Sequence, residues 1–63
     1  MYQVQAIWEG MEIGYGEAEV YEDAAQEASE SVDEMYPDDE VFLLCTHGIM
    51  TVKTPLNVWN EFA

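Results

Sequence analysis

Apolar and polar residues mostly alternate along "YQVQAIW" (residues 2–8), which is the period of a half-buried β-strand. Glu9-Gly10 and "MEIGY" follow, and a two-residue loop ending in Gly predicts a β-hairpin. A loop at Glu9-Gly10 places six apolar residues on one sheet face: Trp8 opposite Met11, Ala6 opposite Ile13, and Val4 opposite Tyr15. We therefore expect this register, with that face turned towards the core.

The period then changes to that of a helix. The pattern predicts a start near Tyr21 or Glu22 and an end at Pro37, which cannot continue a helix. Apolar residues recur at spacings of three and four, which makes a narrow stripe: Ala25, Ala28, Val32 and Met35. The alanines are small, so the helix should lie close to a sheet.

A second hairpin is predicted from "EVFLLCT" (residues 40–46) and "IMTVK" (residues 49–53), with His47-Gly48 as its loop. One face would carry Val41, Leu43, Cys45, Met50 and Val52, and the other Phe42, Leu44, Thr46, Ile49, Thr51 and Lys53. Thr54-Pro55 then reads as the cap and first position of a short helical turn, in which Trp59 and Phe62 share a face.

These elements predict a single α+β domain over residues 1–63. Its order is ββαββ, with a four-stranded, mainly antiparallel sheet packed on one acidic helix and a short C-terminal helical turn. Phe42, Leu44 and Ile49 lie on the far face of this sheet and need cover. We expect the segment with Trp59 and Phe62 to supply it, and a homodimer is the alternative.

Charge narrows the range of partners. The chain has 14 acidic residues against Lys53 alone, a formal net charge of −13. Nucleic acid and anionic membranes need basic surfaces, so neither is expected as a direct partner. Because 49 % of the residues are hydrophobic, a folded domain is expected rather than an acidic disordered tail. A lone cysteine and the lack of a signal-peptide pattern favour the cytoplasm.

Catalytic and metal-binding patterns are weak, so we expect no enzyme, no cofactor and no metal. His47 is interpreted as a turn residue and Cys45 as a buried thiol without a basic neighbour. These two are too few for a structural zinc site, which needs four ligands. The acidic segment lacks the glycine that a calcium-binding loop requires, and Pro37 interrupts it.

The acidic residues concentrate between positions 22 and 40, where nine carboxylates occur without a single Lys or Arg. On the predicted helix, Asp23, Glu27, Glu30 and Glu34 would form one row with about 5–6 Å between neighbours. Such like-charged neighbours repel, so folding alone does not explain them. We predict a partner-binding surface, with Tyr36 as its apolar anchor, formed by Glu22, Asp23, Glu27, Glu30, Asp33, Glu34, Tyr36, Asp38, Asp39 and Glu40.

In size, charge and lack of catalytic motifs, the chain resembles the small acidic inhibitors encoded by phages. These include anti-restriction, anti-CRISPR and uracil-glycosylase inhibitor proteins, some of which mimic DNA. The resemblance implies a non-enzymatic inhibitor, acting in the host cytoplasm, that presents a nucleic-acid-like surface to a basic nucleic-acid-binding protein. Two alternatives remain open: an immunity or antitoxin-like binder of a basic toxin, and an interaction module adapted to high salt.

Overall fold

The computed structural model describes residues 1–62 and confirms the predicted α+β class. Its elements are β1 (Tyr2–Trp8), β2 (Met11–Ala18), α1 (Tyr21–Glu30), β3 (Val41–His47), β4 (Met50–Pro55) and α2 (Leu56–Phe62). The strands form one sheet in the order β2-β1-β3-β4, with antiparallel neighbours throughout. Because β2 and β3 both pair with β1, they run parallel to each other and α1 connects them. Among residues 1–62, no helix is long and apolar enough to cross a membrane.

The core lies between α1 and one face of the sheet. It consists of nine buried residues: Val4, Ala6, Ala24, Ala25, Ala28, Val41, Leu43, Cys45 and Leu56. Only Leu43, Val4 and Val41 are large side chains that are almost wholly buried. Small residues therefore make most of the contact between α1 and the sheet, which is why the helix can approach so closely.

The predicted register of the first hairpin holds only near its loop. Trp8 pairs with Met11 as expected, and Glu9 and Gly10 both have positive φ, the pattern of a type I′ turn. A β-bulge at Ile13 then shifts the register by one residue.

As a result, the predicted pairs of Ala6 with Ile13 and of Val4 with Tyr15 are wrong. Ala6 pairs with Gly14 and Val4 with Gly16, while Tyr15 turns to the opposite face. The reason is steric, because β2 lies directly under α1. A Cβ at Gly16 would overlap the backbone of Ala24 and Ala28, so only glycine fits there.

The helix begins at Tyr21 as predicted but ends at Glu30, well before Pro37. Val32 is half-buried against the core, whereas Met35 is 76 % exposed, so the predicted apolar stripe stops short of Met35. Two causes favour the early end. The last turn carries no basic residue, and the Ser31 hydroxyl donates a 2.7 Å hydrogen bond to the Ala28 carbonyl, which competes with helix continuation.

The second hairpin turns one residue later than predicted, at Gly48-Ile49, and His47 pairs with Met50 at the end of the ladder. Gly48 has a φ of +63° and Ile49 does not share a positive φ, which matches a type II′ turn. His47 is therefore the last residue of β3 rather than a turn residue. The pairs shift by two positions in total, so the residues that stay in β3 and β4 keep their predicted faces. Ile49, predicted on the far face, lies in the turn instead.

The expected cover of the far sheet face is wrong. Trp59 of α2 contacts Tyr21 of α1 edge-on, with ring centroids 6.2 Å apart, and packs against the core on the helix side of the sheet. Phe62 is 82 % exposed and does not share the buried side of α2. We call the opposite surface the open face. It carries Gln3, Gln5 and Ile7 of β1, Glu12, Tyr15 and Glu17 of β2, Phe42, Leu44 and Thr46 of β3, and Thr51 and Lys53 of β4.

Candidate partner-binding surface

Four of the predicted surface residues lie on α1, and all four are exposed: Glu22, Asp23, Glu27 and Glu30. The buried alanines hold the other side of the helix on the sheet, which forces these carboxylates outwards. Asp23, Glu27 and Glu30 follow one another at spacings of four and three, so they form a row with about 5–6 Å between neighbours. Within residues 1–62, the side chains of this row make one hydrogen bond, which Gln26 Nε2 donates to Glu30 Oε1 over 3.0 Å.

The other carboxylates lie in the segment between α1 and β3, where Asp33, Glu34, Asp38, Asp39 and Glu40 are all exposed. Glu34 therefore lies beyond the helix, and the predicted helical row ends at Glu30. Backbone hydrogen bonds from Tyr36 to Asp33 (3.2 Å) and from Glu40 to Pro37 (3.0 Å) close two turns in this segment. The Asn57 N–H of α2 donates a 3.1 Å bond to the Asp38 carbonyl and attaches the segment to the domain. We call these nine carboxylates, four on α1 and five in this segment, the acidic ridge.

Tyr36, predicted as the apolar anchor, is half-buried within the domain. Its ring lies against Trp8 with centroids 5.1 Å apart and an interplanar angle of 59°. Its neighbour Met35 is the exposed apolar side chain in this stretch. The sequence could not show which of Met35 and Tyr36 is buried, because burial here depends on where Trp8, at the end of β1, lies.

A shallow groove of about 450 Å³ runs between the acidic segment and α2, and the sequence did not predict it. Tyr36 and Leu56 provide its apolar part, and carboxylates stand at its margin. Its lining is Ser29, Val32, Asp33, Glu34, Tyr36, Pro37, Asp38, Leu56 and Asn60. The combination suits an Arg or Lys side chain, whose methylene groups bury against apolar surface while the charged end meets carboxylates.

The chain has a single basic side chain, and it lies away from the ridge. The Lys53 ammonium is 4.3 Å from the centroid of the Phe42 ring on the open face. No lysine or arginine is left to neutralise the ridge. Among residues 1–62, no three His, Cys, Asp or Glu side chains come together as a metal-ligand group.

A second hollow of about 240 Å³ lies on the helix side of the sheet beside β4 and is almost entirely apolar. Its lining is Tyr2, Tyr21, Cys45, His47, Met50 and Val52. The His47 ring stacks on Tyr2 with centroids 4.2 Å apart, and burial raises the pKa of the Cys45 thiol. A thiol with a raised pKa is a poor nucleophile at neutral pH, and Cys45 is buried as predicted.

Comparison of the chain with models of known protein families, with curated proteins and with solved structures finds no match.

Proposed function

We propose that this protein is a non-enzymatic binder whose acidic ridge occupies the positively charged groove of a nucleic-acid-handling protein and inhibits it. One observation carries the proposal: nine exposed carboxylates fall within nineteen residues, with no basic residue among them. Repulsion between such neighbours opposes folding, so a surface of this kind calls for a compensating role. A role in the cytoplasm of a phage-infected host belongs to the same proposal.

The mode of binding follows from the charges. Duplex DNA carries one negative charge per about 1.7 Å of axis, and a row of fixed carboxylates offers a coarser version of that pattern. A groove that binds nucleic acid attracts such a row over a distance and steers it into place. The ridge and nucleic acid would then compete for one site, which is how binding would become inhibition.

Charge alone does not give tight binding, because an exposed ion pair contributes only about 0–1 kcal/mol. Stable complexes need an apolar or arginine-centred contact near the middle of the interface. Met35 and the groove beside Tyr36 provide that contact within the ridge. A partner arginine in this groove would meet the carboxylates of Asp33, Glu34 and Asp38.

The test starts with the immobilised protein, cell extract and elution by a salt gradient. Binding of a captured nucleic-acid-binding protein is then measured by stopped-flow and by competition with a duplex oligonucleotide. We expect the triple variant Asp23→Lys, Glu27→Lys, Glu30→Lys to bind about 10- to 100-fold more weakly, mainly through slower association. The matched control reverses three exposed carboxylates outside the ridge (Glu9→Lys, Glu19→Lys, Glu61→Lys) and changes the net charge equally.

Equal weakening by both triple variants would reject the ridge as the binding face and leave only a net-charge effect. Failure of the oligonucleotide to compete would reject the nucleic-acid groove as the target. A captured basic toxin that the protein neutralises, without competition from the oligonucleotide, would support the immunity or antitoxin alternative.

The salt-adapted alternative has its own supporting observation. All fourteen carboxylates are exposed, and five of them lie outside the ridge: Glu9, Glu12, Glu17, Glu19 and Glu61. A dispersed acidic surface is expected of a protein that folds only in concentrated salt. Unfolding at several salt concentrations separates the two cases, because an inhibitor from an ordinary cytoplasm folds at low salt.

A further inference from the structure

We infer that the open face is the interface of a homodimer, in which two copies pack sheet against sheet around a twofold axis parallel to the strands. This proposal is independent of the acidic ridge, which lies on the other elements. It starts from apolar side chains on β1 and β3. Ile7 and Phe42 pair across these central strands, and Leu44 follows on the same face. All three are only half-buried, and α2 packs on the other side of the sheet.

Charge on this face is arranged for a second copy. Lys53, the only lysine of the chain, lies on the open face at one edge of the sheet, on β4. The carboxylates of this face, Glu12 and Glu17, lie at the other edge, on β2. Three strand spacings separate these edges, about 14 Å, so Lys53 cannot reach Glu17 within one chain. The side chains of Gln3 and Gln5 hydrogen-bond the two carboxylates at 3.3 Å and hold them on this face.

The strand registers show what the twofold axis would bring together. Tyr15, Gln5, Leu44 and Lys53 lie in one row across the four strands. The twofold axis runs parallel to the strands, between the two sheets and above the midline between β1 and β3. Rotation about it exchanges the two edges of the sheet, while each row of residues lies over the same row of the other copy. Lys53 of one copy then lies over Tyr15 of the other, between the rows of Glu12 and Glu17, and this contact occurs twice. Over the two central strands, Ile7 of one copy faces Phe42 of the other, and Leu44 lies in the adjacent row.

Size and repulsion are compatible with a weak dimer. Four strands about 4.8 Å apart and six to eight residues long make a face of roughly 14 by 23 Å between strand axes. This face is smaller than the roughly 800 Å² per partner of a standard interface, so association in the micromolar to millimolar range is expected. Since α1 packs on the side of the sheet opposite the open face, the acidic ridges would lie on opposite outer surfaces of the dimer, with two sheets about 10 Å apart between them. Their separation exceeds the Debye length of about 8 Å at physiological ionic strength, and salt should screen most of the repulsion between them.

Salt gives the first test, by sedimentation equilibrium of the full chain from micromolar to millimolar concentration. Dimerisation should tighten as salt rises, because screening reduces the repulsion between chains of net charge −13. Binding through the acidic ridge should weaken over the same range. A chain that stays monomeric at millimolar concentration in both low and high salt would overturn the proposal.

Variants then locate the interface. Leu44→Glu should raise the dimer dissociation constant at least about 30-fold, as expected for a central contact. Ile49→Thr removes a fully exposed apolar side chain from the β3–β4 turn, outside the face, and should leave the constant unchanged. If Leu44→Glu dimerises like the parent, the interface lies elsewhere and the proposal is wrong.

A charge exchange gives a second test that does not depend on a half-buried residue. Lys53→Glu should weaken the dimer about ten-fold, and adding Glu17→Lys should restore it, because each reversed charge again meets its opposite in the other copy. Near-ultraviolet circular dichroism checks that both variants are folded. Absence of rescue would overturn the twofold arrangement. Loss of binding to a captured partner in Leu44→Glu, with a monomeric parent, would assign the face to that partner instead.

Discussion

Replacing Gly16 by Ala tests the closest contact in the structure. Gly16 lies in β2 opposite Val4, directly beneath α1. A Cβ at this position would overlap the carbonyl of Ala24 and the backbone nitrogen of Ala28, and would lie 2.9 Å from the Cβ of Glu27. Sequence reasoning alone predicts the opposite sign, because Ala in place of a strand Gly normally gains about 0.5–1 kcal/mol.

The magnitude follows from what must move. Backbone atoms cannot rotate away as the end of a flexible side chain can, so α1 would have to lift from the sheet by roughly 1 Å. Overpacking of this kind costs about 1–3 kcal/mol, and the gaps opened beside the buried alanines add to it. We expect the free energy of unfolding to fall by about 3 kcal/mol. A domain of this size has only about 3–9 kcal/mol in total, so the variant should be close to unfolding.

Urea unfolding followed by tryptophan fluorescence and circular dichroism measures the effect, with two glycine variants as controls. In Gly10→Ala the added Cβ meets no atom within 4 Å. The free energy of unfolding should fall by only the roughly 1–2 kcal/mol that a residue with a Cβ loses at a positive φ. In Gly14→Ala the added Cβ meets the Ser31 hydroxyl. This hydroxyl can rotate away, but it then loses its hydrogen bonds with the Ala28 carbonyl and the Tyr15 N–H. A Gly16→Ala variant as stable as the parent would refute both the close approach of α1 and the bulged register.

Two further predictions concern charge. The Tyr15 hydroxyl donates a 2.9 Å hydrogen bond to Glu17, and this bond, followed by partial desolvation and the Glu17 charge, raises the pKa of Tyr15 above its ordinary value of 10.0. The contribution of this hydrogen bond to the free energy of unfolding is fully present below pH 10 and should be lost as the pH rises through the folded-state pKa of Tyr15. Glu17→Gln should lower that pKa, as measured by a tyrosinate absorbance titration. On α1, Glu27→Gln with Glu30→Gln should raise the free energy of unfolding by about 0.5–1 kcal/mol at low salt, by relieving repulsion and the unfavourable charge at the helix C-terminus. Glu22→Gln in the first turn should give no gain, since a carboxylate there is favourable, and equal gains in the two variants would contradict this account.

The element order could be predicted because each element has its own local signal. Alternation identified β1, the Gly-containing turns placed both hairpins close to their positions, and the apolar spacing gave the start of α1. The bulge at Ile13 had no such signal. Hydrophobicity assigns Ile13 and Tyr15 to the core and ignores Gly14 and Gly16, although the glycines are the residues that the alanine-faced helix requires. That preference comes from a contact between distant segments, so only the structure reveals it.

The candidate surface could likewise be predicted in part from the sequence. Carboxylates are exposed in almost any fold, so the residues of the acidic ridge could be predicted from the sequence. Their arrangement could not, because it depends on where α1 ends and on how α2 packs. The burial of Tyr36 against Trp8 and the groove completed by Leu56 and Asn60 both arise from segments far apart in the chain.

The helix that carries four of the nine carboxylates of the acidic ridge cannot depend on its own sequence for stability. It has ten residues, no side-chain hydrogen bond at its N-cap and no basic residue in its last turn, and isolated helices of this length are marginal in water. Its contact with the sheet comes from three buried alanines, of which Ala24 and Ala28 lie over Gly16 of β2. Close packing on β2 therefore offsets the repulsion on the outer side of the same helix. Loosening that contact should disorder the acidic ridge before it unfolds β1 and β3. The proposed binding of a basic partner should therefore be lost under a milder perturbation than the one that unfolds the sheet.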